Sequence, residues 1–271
     1  MSYKDLEFGE FDSEWHRYTF RTRLLRFLGI LGAAIVVAVS WALLNVRYEY
    51  VATAPREINL LLNRMVPPNV GYTSEIIAPL VQTINIAVVG TLLAILMALP
   101  VAYLGANNLT PNRFTYALGK LIIVTSRSVH VIIWALIFVV MFGGGALAGI
   151  FAVAFRSIGF VAKLLSEELE EIDPTAVEGV TATGANPFDV LVYGVIPQVK
   201  PPFIGIATYR WDINVREATI IGFVGAGGIG QALITQVNFF DWNSVLTILL
   251  AILGIVIVSE VASAYLRAKV R

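Results

Sequence analysis

The run FLGILGAAIVVAVSWALLNV, residues 27–46, carries no charged side chain. A bilayer core about 30 Å thick is crossed by a helix of roughly 20 apolar residues. Only helices and closed barrels satisfy their backbone hydrogen bonds in hydrocarbon. Such a run therefore commits the chain to a membrane, and it recurs. Ile76–Asn112 is uncharged, with Pro100 and the turn-like NNLTPN of 107–112 expected to end it. Ser128–Phe155 is uncharged but interrupted by Gly143, Gly144 and Gly145, which predicts helices over about 118–142 and 146–165. Trp242–Ser259 is another span. Pro202–Val224 is apolar at both ends, with Arg210, Asp212, Arg216 and Glu217 between them. The expectation is an all-α polytopic membrane protein with six transmembrane helices.

Hydrophobic residues make up 57% of the chain and charged ones only 14%, against about 25% charged in a soluble domain. Net charge is zero, which argues against a nucleic-acid partner. No cysteine is present, so disulfide and thiol chemistry are excluded. His16 and His130 stand alone, and no metal site is assembled. The first twenty residues are charged rather than apolar, so no cleavable signal peptide is expected. The positive-inside rule sets the orientation. With the N-terminus inside, the cytoplasmic segments hold Lys4, Arg17, Arg21, Arg23, Arg26, Arg113, Lys120, Lys163, Lys200, Arg267, Lys269 and Arg271. The exterior loops hold Arg47, Arg56 and Arg64. An N-in/C-in topology follows: a cytoplasmic segment 1–26, a first transmembrane helix 27–46 and an extracytoplasmic loop 47–75. A transmembrane domain 76–266, with a cytoplasmic loop at 166–200, and a cytoplasmic tail 267–271 complete it. In Glu7–Glu14 the charges read as a solvated tail. PREINLLLNRMVPP, residues 55–68, reads as an interfacial amphipathic helix ended by Pro67 and Pro68.

GFVGAGGIG, residues 222–230, contains G-x-G-x-x-G, the fingerprint of a dinucleotide-binding turn. That motif needs a strand before it and an acid about 20 residues beyond. Here the preceding stretch belongs to a membrane segment, Asp241 lies too close and Glu260 too far, and no Gly-Lys-Ser/Thr follows. The nucleotide reading fails. Two readings of Gly225, Gly227, Gly228 and Gly230 stay open: tight helix packing at a subunit interface, or a gate or oxyanion-contacting backbone turn.

The stretch Ser166–Pro202 has strong local signals. Asp173 before Pro174 is an N-cap and first-turn pair, predicting a helix from Pro174 to about Thr183. Gly184 stands where a left-handed C-terminal residue belongs. Asn186 before Pro187 repeats the cap and predicts a second helix running to Pro197.

The register of Glu178, Gly184 and Pro197 is similar to the loop of binding-protein-dependent ABC importer permeases: Glu-Ala-Ala, three residues, Gly, nine residues, Ile-x-Leu-Pro. The chain departs from it at Gly179 and Val180, where that pattern has alanines, and at Gly194, where it has Ile. RSVHVIIWALIFVV at 127–140, EGVTATGA at 178–185 and RWDINVREATIIGFVGAGGIG at 210–230 resemble the phosphonate ABC transporter permease family. The likeness runs from about Thr83 to Leu266. It implies a type I importer fold whose coupling helix docks on an ATPase, through Glu178, Gly184, Asn186 and Pro197. It further implies a homodimer of permease copies, two ATPase subunits inside and a periplasmic binding protein outside, in the bacterial cytoplasmic (inner) membrane. ATP and Mg would belong to the ATPase, leaving this chain no cofactor and no catalytic residue. The cargo implied is a phosphonate, with phosphite, phosphate esters or another small anion open.

Ionisable residues at membrane depth are functional candidates by default. Asp212 and Arg216 are four apart on a helix and able to pair, with Glu217 in the same network. Arg216 is therefore expected to be structural. Arg210 lies seven residues from Glu217 on one face and could join that network. Badly placed for Asp212, it is the better candidate to line the path, where a guanidinium fork suits two oxygens of a phosphonate. Arg216 remains a second path candidate. Arg127 and His130, three apart on the expected third helix, are further lining candidates. Arg156 stands alone in the fourth. Against an intramembrane enzyme, no nucleophile–base spacing appears. Against a secondary transporter, no inverted repeat is visible.

Overall fold

A computed structural model of the chain describes residues 18–270, and every regular element among them is helical. His16, Lys4, Arg17, the Glu7–Glu14 tail and Arg271 lie outside the described residues. The chain forms two compact units, divided at Leu60.

In the first unit, α1 spans Phe20–Leu43. It starts earlier than the apolar run because arginine is a good helix former. Asn45, at φ 46°, ends it in the left-handed region that Asn tolerates better than most residues. The next helix, α2, covers Tyr48–Met65 and crosses the division. It begins well before the expected Pro55, which lies inside the helix.

In the second unit, a single 3-10 turn at Val70–Tyr72 leads into α3, Thr73–Gly105. Pro100 was expected to help end this span but lies within the helix. At 33 residues, α3 is about 50 Å long, more than one bilayer core. Its small buried residues, Ala87, Gly90, Ala94, Ala98 and Ala102, line a face against α6, Ala146–Glu170.

The expected helix 118–142 is instead two. Asn112 caps α4, Arg113–Ser128, by accepting from the Thr115 amide at 2.9 Å. After Val129 the chain turns through 93° into α5, Val131–Phe142. His130 is the N-cap of α5. At 12 residues, α5 is about 18 Å long, too short to cross alone. Among the described residues, five segments are long and apolar enough to span a bilayer, and the bent pair, taken as one span, makes a sixth. Lys120 and Lys163, assigned above to cytoplasmic segments, lie inside α4 and α6.

After α6 come α7, Pro174–Ala182, and the single turn α8, Pro187–Asp189. A π-helical turn, Val190–Val195, then runs directly into α9, Ile196–Ile221. The second loop helix therefore does not stop at Pro197. That proline lies in the first turn of α9, which continues from the π-turn without a break. Gly222–Val224 closes α9 with a 3-10 turn, and α10, Ile229–Asn238, follows. The last helix, α11, covers Trp242–Val270. It runs past Ser259, so Arg267 and Lys269 of the expected tail are helical.

Three apolar clusters hold this unit. One centres on Ile86, Val131, Phe138, Val153, Val215 and Ile221, joining α3, α5, α6 and α9. A second, around Ala102, Ile123, Ile158, Val161, Leu165 and Val199, joins α3, α4, α6 and α9. Met65, Ile76, Ile229, Leu233, Val245 and Ile248 form the third.

Candidate functional site

The connection between α6 and α9 is built from caps. Asp173 accepts from the Thr175 amide at 2.9 Å, and Pro174 starts α7. Gly184 has φ 81°, the left-handed conformation its position required, and a side chain there would meet nothing within 4 Å. Asn186 accepts from the amides of Phe188 at 2.9 Å and Asp189 at 3.0 Å. The elbow is thus held by local hydrogen bonds.

Its attachment to the helix bundle depends on a residue that the spacing of Glu178, Gly184 and Pro197 does not reveal. Gln198 accepts from the Asp173 amide at 2.8 Å and donates to the Gly194 carbonyl at 2.7 Å. One side chain therefore ties the start of α7 to the π-turn. A Cβ on Gly194 would lie 3.4 Å from the Val177 Cα, in ordinary van der Waals contact, so the turn passes close to α7. Val177 in turn packs on the second apolar cluster. Glu178 points outward, exposed and without an ion pair among the described residues. Phe188 and Tyr193 are 71% and 69% exposed. A hollow of ≈ 610 Å³ on this connection is lined in part by Gly179, Thr183, Gly184 and Tyr193.

The second candidate region is a polar ladder inside the bundle. Arg210 is 2% exposed. Its Nη2 donates to Glu217 Oε2 at 2.9 Å, and its Nε donates to Ser157 Oγ at 2.8 Å. Ser157 Oγ lies 3.0 Å from Asn214 Oδ1, and Asn214 Nδ2 donates to Thr91 Oγ1 at 2.7 Å. The ladder links α9 to α6 and α3. Glu217 neutralises Arg210, and the surrounding helices enclose it. Arg216 pairs with Asp212 as expected, yet its side chain is 40% exposed and also approaches Glu260 at 3.9 Å. Asp212 is fixed from α11 by the Ser259 hydroxyl at 2.9 Å. The two arginines have thus exchanged the burial expected of them. Lone Ser, Thr and Asn residues in apolar helices gave no signal for Thr91, Ser157, Asn214 or Ser259.

Arg127 and His130 do not share a helix. Arg127 ends α4, while His130 lies past the bend and caps α5, its Nδ1 accepting from the Ile132 amide at 3.4 Å. Both are exposed. Arg156 forms no ion pair among the described residues.

The glycine run packs within the chain. Gly225, Gly227 and Gly228 all have φ near 80°, and a Cβ on Gly230 would lie 2.0 Å from the Thr219 carbonyl oxygen. Gly225 O accepts from the Gly145 amide at 2.9 Å, which binds the start of α6 to the end of α9. At the N-terminus of α10, the Gly228 amide donates to Gln82 Oε1 at 2.9 Å and the Ile229 amide to Thr83 Oγ1 at 2.7 Å. Side chains of α3 therefore occupy two of the donors an oxyanion turn would use. Packing between elements of the chain is the role this geometry supports.

Comparison with known proteins follows the same lines. Residues 74–271 match the family described as binding-protein-dependent transport system inner membrane component. The phosphite transport system permease protein PtxC of Stutzerimonas stutzeri is 37% identical over 210 residues, 78% of this chain and 76% of that protein. The phosphate-import permease protein PhnE of Mycolicibacterium smegmatis is 36% identical over 77% of this chain, which spans 40% of that longer protein. Among solved structures, the fold resembles a chain of the inward-facing MetNI methionine ABC transporter. The TM-score is 0.64 at 22% identity, covering 75% of this chain and 99% of that one.

Proposed function

The chain belongs to the family of inner membrane components of binding-protein-dependent transport systems, and from that premise we propose that it carries phosphorus oxyanions under the drive of a separate ATPase. It is a multi-pass permease subunit of an ABC importer. The observation that carries the coupling is the capped elbow of α7, with Glu178 exposed and Gln198 holding the elbow to α9. A lever must be stiff to transmit a displacement, and its ends must be fixed to different elements. Here the elbow joins α6 to α9, the helix whose polar ladder reaches α3.

The cargo class is supported by relatives named for phosphite and phosphate. In this reading two permease copies pair, two ATPase subunits supply ATP and Mg²⁺ chemistry at the cytoplasmic face, and a periplasmic binding protein delivers the anion. The N-in/C-in orientation places the elbow on the ATPase side. Arg216, half-exposed on α9, is the arginine of that helix with a guanidinium open to the surface of the chain.

Reconstituting the permease with its ATPase and binding protein and measuring ATP hydrolysis tests this function. Phosphite, phosphate or methylphosphonate should raise the rate several-fold over the ligand-free complex, and methionine should not. Stimulation by methionine alone, or by none of the phosphorus oxyanions, would remove the cargo assignment.

A further inference from the structure

A groove of ≈ 540 Å³ between α4 and α6 is lined by Lys120, Ile123, Val124, Arg127, Ser128 and Lys163. It brings three cations together, and no carboxylate lines it. Lys120 and Arg127 are seven residues apart on α4, two turns along one face, about 10 Å in rise. Gly159 lets Arg127 lie close on α6: a Cβ there would be 2.9 Å from Arg127 Cγ. Lys163 stands one helical turn beyond Gly159 and pairs with Glu167, which lies outside the groove lining. Arg127 forms no ion pair among the described residues. The Ser128 hydroxyl donates to the Val124 carbonyl at 2.8 Å, so charge recognition in the groove falls to the three cations.

Glu167 offsets Lys163, but Lys120 and Arg127 form no ion pair among the described residues, and cations over an apolar floor within membrane helices are costly without a counter-charge. Long basic side chains at helix ends reach the interface by themselves, but convergence on one concavity is not explained by that. We propose that this groove binds a single phosphate-type oxyanion, its oxygens shared between the Arg127 fork and the ammonium groups of Lys120 and Lys163. The Arg127 guanidinium suits two oxygens of a tetrahedral phosphorus group, and the lysines act as point charges. Basic pockets between transmembrane helices take the phosphates of anionic lipids. The same chemistry would take a free phosphorus oxyanion on its way through the transporter, and that second source rests on the cargo reading above.

The test uses the full chain in two kinds of nanodisc. In neutral phosphatidylcholine discs, inorganic phosphite is titrated and its ³¹P line broadening followed. In discs containing phosphatidylglycerol, retention of that lipid through detergent extraction is measured by native mass spectrometry. At least one arm should show binding that falls about tenfold or more in Arg127→Gln and in Lys163→Gln, the size expected for a lost charge-assisted hydrogen bond. Arg127→Lys should recover part of it, which separates lost charge from lost folding. Arg113→Gln, at the start of α4 and outside the groove, should bind as the wild type. Phosphite binding assigns the groove to the soluble anion, and phosphatidylglycerol retention assigns it to a lipid headgroup. Absence of both in the wild-type chain, or unchanged binding in both groove variants, overturns the site. The cargo reading fails separately: phosphatidylglycerol retention with no oxyanion-stimulated ATP hydrolysis leaves the groove and removes the cargo.

Discussion

Replacing Glu217 with alanine is expected to destabilise the permease by about 3–5 kcal/mol, the range for removing one partner of a buried ion pair. The cause is what remains. The Arg210 side chain is 3% exposed, and without Glu217 it is left with the Ser157 hydroxyl as its hydrogen-bond partner among the described residues. A buried guanidinium cannot shed its charge, because arginine stays protonated in proteins. The loss should appear as a drop of about 10 °C in the thermal midpoint of the solubilised protein. Arg216→Ala strands a carboxylate instead: Asp212 is 6% exposed and keeps the Ser259 hydroxyl, so a loss of the same order is expected. Restoring neutrality with Arg210→Met in the Glu217→Ala background should recover most of the midpoint, since an apolar side chain of similar length removes the unpaired charge. An unchanged midpoint in Glu217→Ala, or no recovery in the double variant, would contradict the burial of this pair.

Gly184→Val is expected to leave the bundle folded and disconnect it from ATP hydrolysis. Gly184 has φ 81° and open space where a side chain would stand, so the damage comes from backbone conformation alone. A left-handed β-branched residue costs at least about 1–2 kcal/mol, enough to lower the population of the bent elbow roughly tenfold. Oxyanion-stimulated ATP hydrolysis should fall by a similar factor, while the thermal midpoint of the isolated permease changes little. Gly184→Ala, strained but not branched, should fall in between. A valine variant with normal stimulated hydrolysis would show that the elbow does not transmit motion.

What the sequence makes legible here follows from how far each signal reaches. The caps at Asp173 and Asn186 and the left-handed Gly184 act over three or four residues, so a string of letters contains them whole. The apolar spans are legible for the same reason, although charge tolerated in terminal turns lets α1 and α11 run beyond their apolar cores. The 93° bend after Ser128 has no glycine or proline to announce it, and is made by an unusual histidine cap. The partners of Arg210 show the limit most clearly. Glu217 is two helical turns away and lies within the reach of periodicity. Ser157 is 53 positions distant, and Asn214 meets Thr91 across 123. No spacing rule sees such pairs, so Ser157 and Asn214 stay hidden and Arg210 also suits a path. The glycines of 225–230 were legible as backbone that must turn. Their contact with Gln82 and Thr83, 146 positions earlier in sequence, decides that the turn is packing.

The central claim is that this chain moves phosphorus oxyanions only when a partner ATPase works on it. The most direct measurement is uptake of radiolabelled phosphite into proteoliposomes that hold the permease and its ATPase, with ATP trapped inside and the loaded binding protein outside. The account predicts accumulation that needs ATP, needs the ATPase subunit and falls about tenfold with Gly184→Val. Equal uptake by vesicles holding the permease alone, without ATP, would contradict it.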